Sequence, residues 1–293
     1  MNLDNLKLFM NLYMYELELW LNEHSDDVLD ISFQSDEANT DRPLKEFLQQ
    51  IIKNECNCIS KLKCVKYIDL YDYDGQQYRY KITSNITNAI VKRVYLPDEI
   101  PDVLKRQLKL RKNAVFTNPD LCIAIDIDGK TEYETIELKS TKKDAIPGSS
   151  IQQVSPDEWV IFVKHEGNFA EITVGQYFHA INAKMQFPDR SPRPQVSFSE
   201  LQNWNYSCRQ YVGSVISYHL PNDELVKYEL LTDWQNVLAK RWAEIVLDDN
   251  PKRNESWFNN NLRKFILEFL NVYDEMSLDD KEDYKKFLEN IIE

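Results

Sequence analysis

Two Asp-Gly dipeptides, each set between strand-like runs, constrain this chain more than any other feature. Residues 65–73 and 78–83 flank Asp74-Gly75, and residues 121–126 and 133–139 flank Asp128-Gly129. A two-residue Asp-Gly connection readily takes the positive backbone angles of a tight hairpin turn, so each pair predicts two antiparallel strands. Residues 159–164 read as a short strand of the buried type, and residues 170–174 as another. Residues 175–185 have helical character. A hairpin followed by strand, strand and helix predicts an α/β fold, a central mixed β-sheet flanked by helices.

The two ends read as helical. Residues 43–60 predict a helix with Pro43 in its first turn. Trp234, Val237, Leu238, Trp242 and Ile245 share one helical face, as do Leu262, Phe265, Ile266, Phe269, Leu270 and Tyr273. Ser277 ahead of Asp280 marks the start of a last helix over 278–292. Aromatic stripes at this spacing predict packing faces. The expected organisation is a core with N-terminal helices over 1–220, and a helical region over 221–293 packed on the same domain. The chain has six glycines, no low-complexity linker and no internal repeat to mark a sharper cut.

The net charge is −13, from 35 Lys and Arg against 48 Asp and Glu. Such a chain does not coat polyanions indiscriminately. The acidity is concentrated at the ends, however. Residues 1–50 carry −8 and residues 216–293 carry −7, whereas 51–89 carry +2 and 90–215 are balanced. One face of the middle can therefore meet a polyanion. No apolar run approaches the roughly 18 residues of a membrane span, and Glu16 and Glu18 interrupt the only N-terminal candidate for a signal peptide. Five cysteines, an odd number, suggest reduced thiols and a cytoplasmic location. Cys56, Cys58 and Cys64 lack a fourth nearby ligand, and His24, His165, His179 and His219 lack zinc-site spacing. No glycine-rich phosphate loop is present, which argues against an ATP-driven activity.

The chemistry-bearing stretch is Asn118-Pro119-Asp120 followed by Glu137-Leu138-Lys139. Glu137 and Lys139 project from the same face of a strand, because side chains alternate. Pairing across Asp128-Gly129, with a bend at Pro119, brings Asp120 to the Glu137 end. Two carboxylates then meet one ammonium. Two carboxylates can hold Mg²⁺, which takes few protein ligands, with the backbone carbonyl of Leu138 as a third ligand. Such a metal polarises a phosphate and acidifies a bound water. Lys139, kept charged by its acids, would position the attacking water. Asp126, Asp128, Glu132 and Glu134 are competing acids in the same hairpin.

Asp120, Glu137 and Lys139, with sixteen residues between the two acids, resemble the active site of the PD-(D/E)xK nuclease superfamily, and within it the type II restriction endonucleases. The resemblance covers about 120–165 and extends loosely to 215. It implies a restriction-endonuclease-like core with helices on both faces of the sheet, and Mg²⁺-dependent hydrolysis of double-stranded DNA at a specific short palindromic site, leaving 5′-phosphate ends. It further implies a homodimer matching that site and a cognate DNA methyltransferase in the same restriction-modification system, not held in a stable complex. Some members carry a Gln on a helix after the Glu-x-Lys strand, a place for Gln152 or Gln153. Others add an acid from an early helix, for which Glu46 and Glu55 are candidates.

The proline-rich segment 187–198 predicts a stiff loop presented without helix or sheet. Arg190 and Arg193 there suit guanine edges and Gln195 suits an adenine edge. Ser149, Ser150 and Lys142 are further candidates for DNA contact. Lys105, Arg106, Lys109, Arg111 and Lys112 form a basic run suited to phosphates. Tyr71, Tyr73, Tyr78 and Tyr80 read as half-buried strand. Two alternatives accompany the restriction enzyme: a structure-selective repair or recombination nuclease, and an inactive nuclease-like DNA-binding protein.

Overall fold

A computed structural model describes residues 3–31, 42–111, 119–151, 153–185, 193–250 and 257–292. It separates into two compact units, Met1–Thr232 and Asp233–Glu293. The first unit opens with helices α1 (Asn5–Glu23), α2 (Ser25–Leu29) and α3 (Arg42–Asn54), then β1 (Tyr67–Tyr71), β2 (Gln77–Lys81), α4 (Ser84–Thr87), β3 (Ile90–Tyr95) and α5 (Asp102–Arg111). Next come β4 (Leu121–Ile127), β5 (Lys130–Thr141), β6 (Ala145–Pro147), β7 (Trp159–Glu166), β8 (Phe169–Gln176), α6 (Tyr177–Ala180) and β9 (Ile181–Met185). It ends with β10 (Pro194–Ser197), α7 (Phe198–Cys208), β11 (Arg209–Val212), β12 (Val215–His219) and α8 (Asn222–Thr232).

The architecture is mixed α/β. A five-stranded sheet has the order β3-β4-β5-β7-β8, with β5 and β7 parallel and the other neighbours antiparallel. A four-stranded sheet, β11-β12-β1-β2, pairs β1 in parallel with β12. A small third sheet has the order β6-β10-β9. Both Asp-Gly hairpins are present. At the second, Asp128 has φ 55° and Gly129 φ 77°, the two left-handed positions of a tight hairpin turn. The Gly129 N–H donates to the Asp126 carboxylate at 2.9 Å. The turn fixes the register, Leu121 opposite Ile136, and thereby the end of β4 against the middle of β5.

Helices cover both faces of the five-stranded sheet because its strands bury both sets of alternating side chains. Leu121, Ile123 and Ile125 of β4 cluster with Leu8, Leu12 and Leu17 of α1. Cys122, on the opposite face, clusters with Leu104 and Leu108 of α5. Helix α8 is fastened within the first unit: Glu224 lies 2.6 Å from the buried His179 imidazole, and Lys227 pairs with Glu224 at 2.8 Å and Glu200 at 2.9 Å. Residues 221–232 therefore stand with the first unit.

The second unit is helical, with α9 (Trp234–Leu247), α10 (Trp257–Asp274) and α11 (Leu278–Ile292). Asp280 N–H donates to the Ser277 hydroxyl at 3.2 Å, the expected cap of α11. Trp242 approaches Phe258, and Phe269 approaches Tyr284. The expected packing faces are only partly covered: Leu238 of α9 is buried, Leu262, Ile266, Phe269 and Tyr273 of α10 are half-buried, and Phe265 is 64 % exposed. No helix among the described residues is long and apolar enough to cross a membrane.

Two further segments differ from expectation. Residues 175–185 are not one helix: β8 continues through Gln176, a single helical turn follows, and Ile181–Met185 is β9. A short apolar run has no period long enough to separate helix from strand. Residues 187–198 are not loop throughout. Pro194 begins strand β10, as proline can at a first strand position, and Val196 pairs with Ile146 of β6. Residues 186–192 lie outside the described residues.

Candidate active site

The pairing of β4 with β5 ends at Leu121, just after Pro119, which has no N–H to extend the ladder. Leu138 of β5 thus directs its N–H past the end of β4, and the Asp120 carboxylate accepts it at 2.8 Å through Oδ2. Asp120 is buried, with only 9 % exposure. Glu137 and Lys139, two residues apart on β5, project to the same face. Lys139 Nζ donates to Glu137 Oε1 at 2.6 Å. Asp120, Glu137 and Lys139 are therefore brought together.

Ser149 closes this cluster. Its hydroxyl donates to Glu137 Oε1 at 2.8 Å and lies 3.1 Å from Lys139 Nζ. Its N–H donates to the buried Tyr177 hydroxyl at 3.0 Å. The preceding Gly148 permits this approach, since a Cβ there would stand 2.3 Å from the Pro194 carbonyl and 2.6 Å from the Tyr177 hydroxyl. Its N–H donates to the same Pro194 carbonyl at 2.9 Å.

The fourth charge comes from α3. Lys45 Nζ is 2.6 Å from Asp120 Oδ1. The early helix reaches the site, but with a base. Glu46 instead pairs with exposed Arg42 at 2.6 Å, and Glu55 is exposed beyond the end of α3. Lys45 went unread in the sequence although a signal was there. It shares a helical face with Leu48 and Ile52 at i, i+3, i+7, an unusual place for a solvated lysine. Tyr177 carried no comparable signal.

Electrostatics follow from burial and proximity. Burial raises the Asp120 pKa and the Glu137 charge adds to the rise, against the lowering effects of Lys45 and the Leu138 N–H; the net shift is upward. Burial lowers the Lys139 pKa, but Glu137, Tyr177 and Asp120 outweigh it and hold the group above its ordinary value. The acids beside it favour the ammonium form of Lys139, which suits it to orienting a nucleophile and neutralising an anion.

The remaining expected residues are dispersed. Ser150 is buried and its carbonyl accepts the Gln153 N–H at 2.8 Å. Gln153 lies in a turn rather than on a helix, and Gln152 lies outside the described residues. No helix is found among the described residues between β5 and β7, because this short crossover is taken up by β6 and turns. Lys142 is exposed at the end of β5. Arg193 is exposed just before β10, and Arg190 lies outside the described residues. Gln195 sits within β10, where its side-chain carbonyl accepts Asn182 Nδ2 at 2.7 Å. In the basic run, Lys105 lies 4.0 Å from Asp102, Arg106 and Lys109 are exposed, and Lys112 lies outside the described residues.

Asp120 and Glu137 are the donors available to a cation. The Leu138 carbonyl faces the same strand edge as its N–H, as both groups of one residue do in a β-ladder. Among the described residues no group of three or more His, Cys, Asp or Glu side chains could hold a metal ion, so any cation here must accept two side-chain ligands. A large cavity of about 1190 Å³ lies elsewhere, lined by residues such as Glu132, Glu134, Trp159 and Trp204, and does not include the acid cluster. Compared with known proteins, the chain matches no family profile, no curated protein and no solved structure.

Proposed function

We propose that this protein is a Mg²⁺-dependent endonuclease acting on double-stranded DNA, in the manner of a type II restriction endonuclease working as a homodimer. The observation that carries the proposal is the Asp120 carboxylate, fixed by the Leu138 N–H, beside the Glu137–Lys139 pair on the adjoining strand. The donor set suits Mg²⁺, a hard cation that keeps several waters and needs only one or two carboxylates. Bound through Asp120, Glu137 and the Leu138 carbonyl, Mg²⁺ would supply Lewis-acid charge to the phosphate.

This chain's own residues do the rest. Lys139 holds the attacking water in line with the phosphorus and offsets charge as it develops. Glu137 and Ser149 hold Lys139 in place from two sides. Tyr177 steadies Ser149 through its backbone. Glu137→Ala is expected to lower plasmid cleavage in Mg²⁺ by roughly a thousandfold or more, while DNA binding in Ca²⁺ persists. Undiminished cleavage by that variant removes the assignment.

A structure-selective repair nuclease with the same centre is the second reading. It is favoured by Gln195, whose side chain is engaged by Asn182 rather than presented on a loop. The same digestion separates the two: discrete fragments speak for site recognition, ragged products for structure selection.

A further inference from the structure

Helix α3 contributes a charged contact to the acid cluster, and its sign is opposite to that of a metal ligand. Lys45 and Asp120 lie 2.6 Å apart with side chains only 18 % and 13 % exposed. The helix is anchored by buried Leu44, Leu48, Ile51 and Ile52, so the lysine backbone is fixed while its four-carbon stem can pivot. A half-hidden ion pair contributes little net stability on its own, since desolvating both charges opposes their attraction.

Asp120 Oδ1 is also an oxygen that a divalent cation would use. A Mg²⁺ ion stands about 2.1 Å from such an oxygen, so ion and ammonium would be pressed together with like charge. Both cannot hold Oδ1. Lys139 differs, being tied to Glu137 and Ser149 on its own side of the cluster.

Resting on the nuclease reading above, we propose that Lys45 is the built-in counter-ion of the metal site. It holds Asp120 until a divalent cation takes that oxygen, and once displaced it binds the phosphodiester of the DNA. An ammonium leaving a buried partner requires another anion, and the substrate brings one. Metal and DNA then favour each other's binding, because each satisfies one half of the separated pair, and the coupling is reciprocal.

The test uses the full chain and the variants Lys45→Met and Lys45→Gln. Mn²⁺ affinity is measured without DNA by electron paramagnetic resonance of the free ion, and DNA affinity by fluorescence anisotropy in Ca²⁺. Both variants are expected to bind Mn²⁺ about tenfold more tightly and to bind DNA about tenfold more weakly, within the usual range of coupling between two ligands. Unchanged or weaker Mn²⁺ binding in the folded variants overturns the proposal, as does unchanged DNA affinity. Circular dichroism identifies a variant that does not fold, and the other substitution then decides. Failure of the nuclease reading looks different: wild-type protein takes up Mn²⁺ and cuts no DNA.

Discussion

Glu137 and Lys139 are separated by one residue on a strand, yet their 2.6 Å pairing serves two distinguishable ends. One is chemical on the nuclease reading, in which the ammonium would face the reacting phosphate. The other is structural, since Lys139 is 5 % exposed and its charge must be matched. Removing one partner of a buried pair strands the other charge, at a cost of about 3 kcal/mol or more, whereas removing both can be nearly neutral. Lys139→Met should therefore lower stability by about that amount in urea unfolding. The double variant Glu137→Gln with Lys139→Met should recover much of the loss, and neither should cut DNA. If stability does not recover in the double variant, the pair is not what fastens this part of the site.

At the scale of elements, the crossover from β5 to β7 positions the active cluster through Gly148. Its close approach to the Pro194 carbonyl leaves no room for a methyl group, and the obstructing atom is backbone. Gly148→Ala should cost about 1–3 kcal/mol by overpacking and should lower cleavage as Ser149 is displaced from Glu137. Thermal melting and plasmid digestion of the same preparation check both effects; normal values in each would contradict the role given to this contact. These local facts also explain what was legible in advance. The hairpin at Asp128-Gly129 was readable because only certain residues tolerate its backbone angles, and its register then brought Asp120 to Glu137. Residues 175–185 misled because buried apolar side chains such as Tyr177, Phe178 and Ile181 suit helix and strand alike. Gln195 misled because prolines suggest loop, although one may open a strand. Lys45 was hidden for a different reason: its meaning depends on a contact with Asp120, which is remote in sequence and set by tertiary packing of α3.

Across the whole sequence, the distribution of charge is compatible with the proposed DNA contact despite a net −13. The acid surplus lies in residues 1–50 and 216–293, and the segment bearing Asp120, Glu137 and Lys139 is balanced. On the nuclease reading, the acidic segments would repel DNA and leave the balanced segment as the place of contact. Specific affinity should fall steeply between low and moderate salt, since phosphate contacts release counterions. A flat salt response in anisotropy titrations would refute this picture. The four-stranded sheet has a bearing on how the molecule is made. Strand β1, at Tyr67–Tyr71, finds its parallel neighbour only at Val215–His219, and Glu18 of α1 binds Arg209 at 2.5 Å. Contacts so distant along the chain are slow to form. During synthesis the β1–β2 hairpin must wait, with one edge open, until the ribosome has released residues beyond 219. A nascent chain thus presents Asp120, Glu137 and Lys139 well before it can complete the sheet that β1 begins.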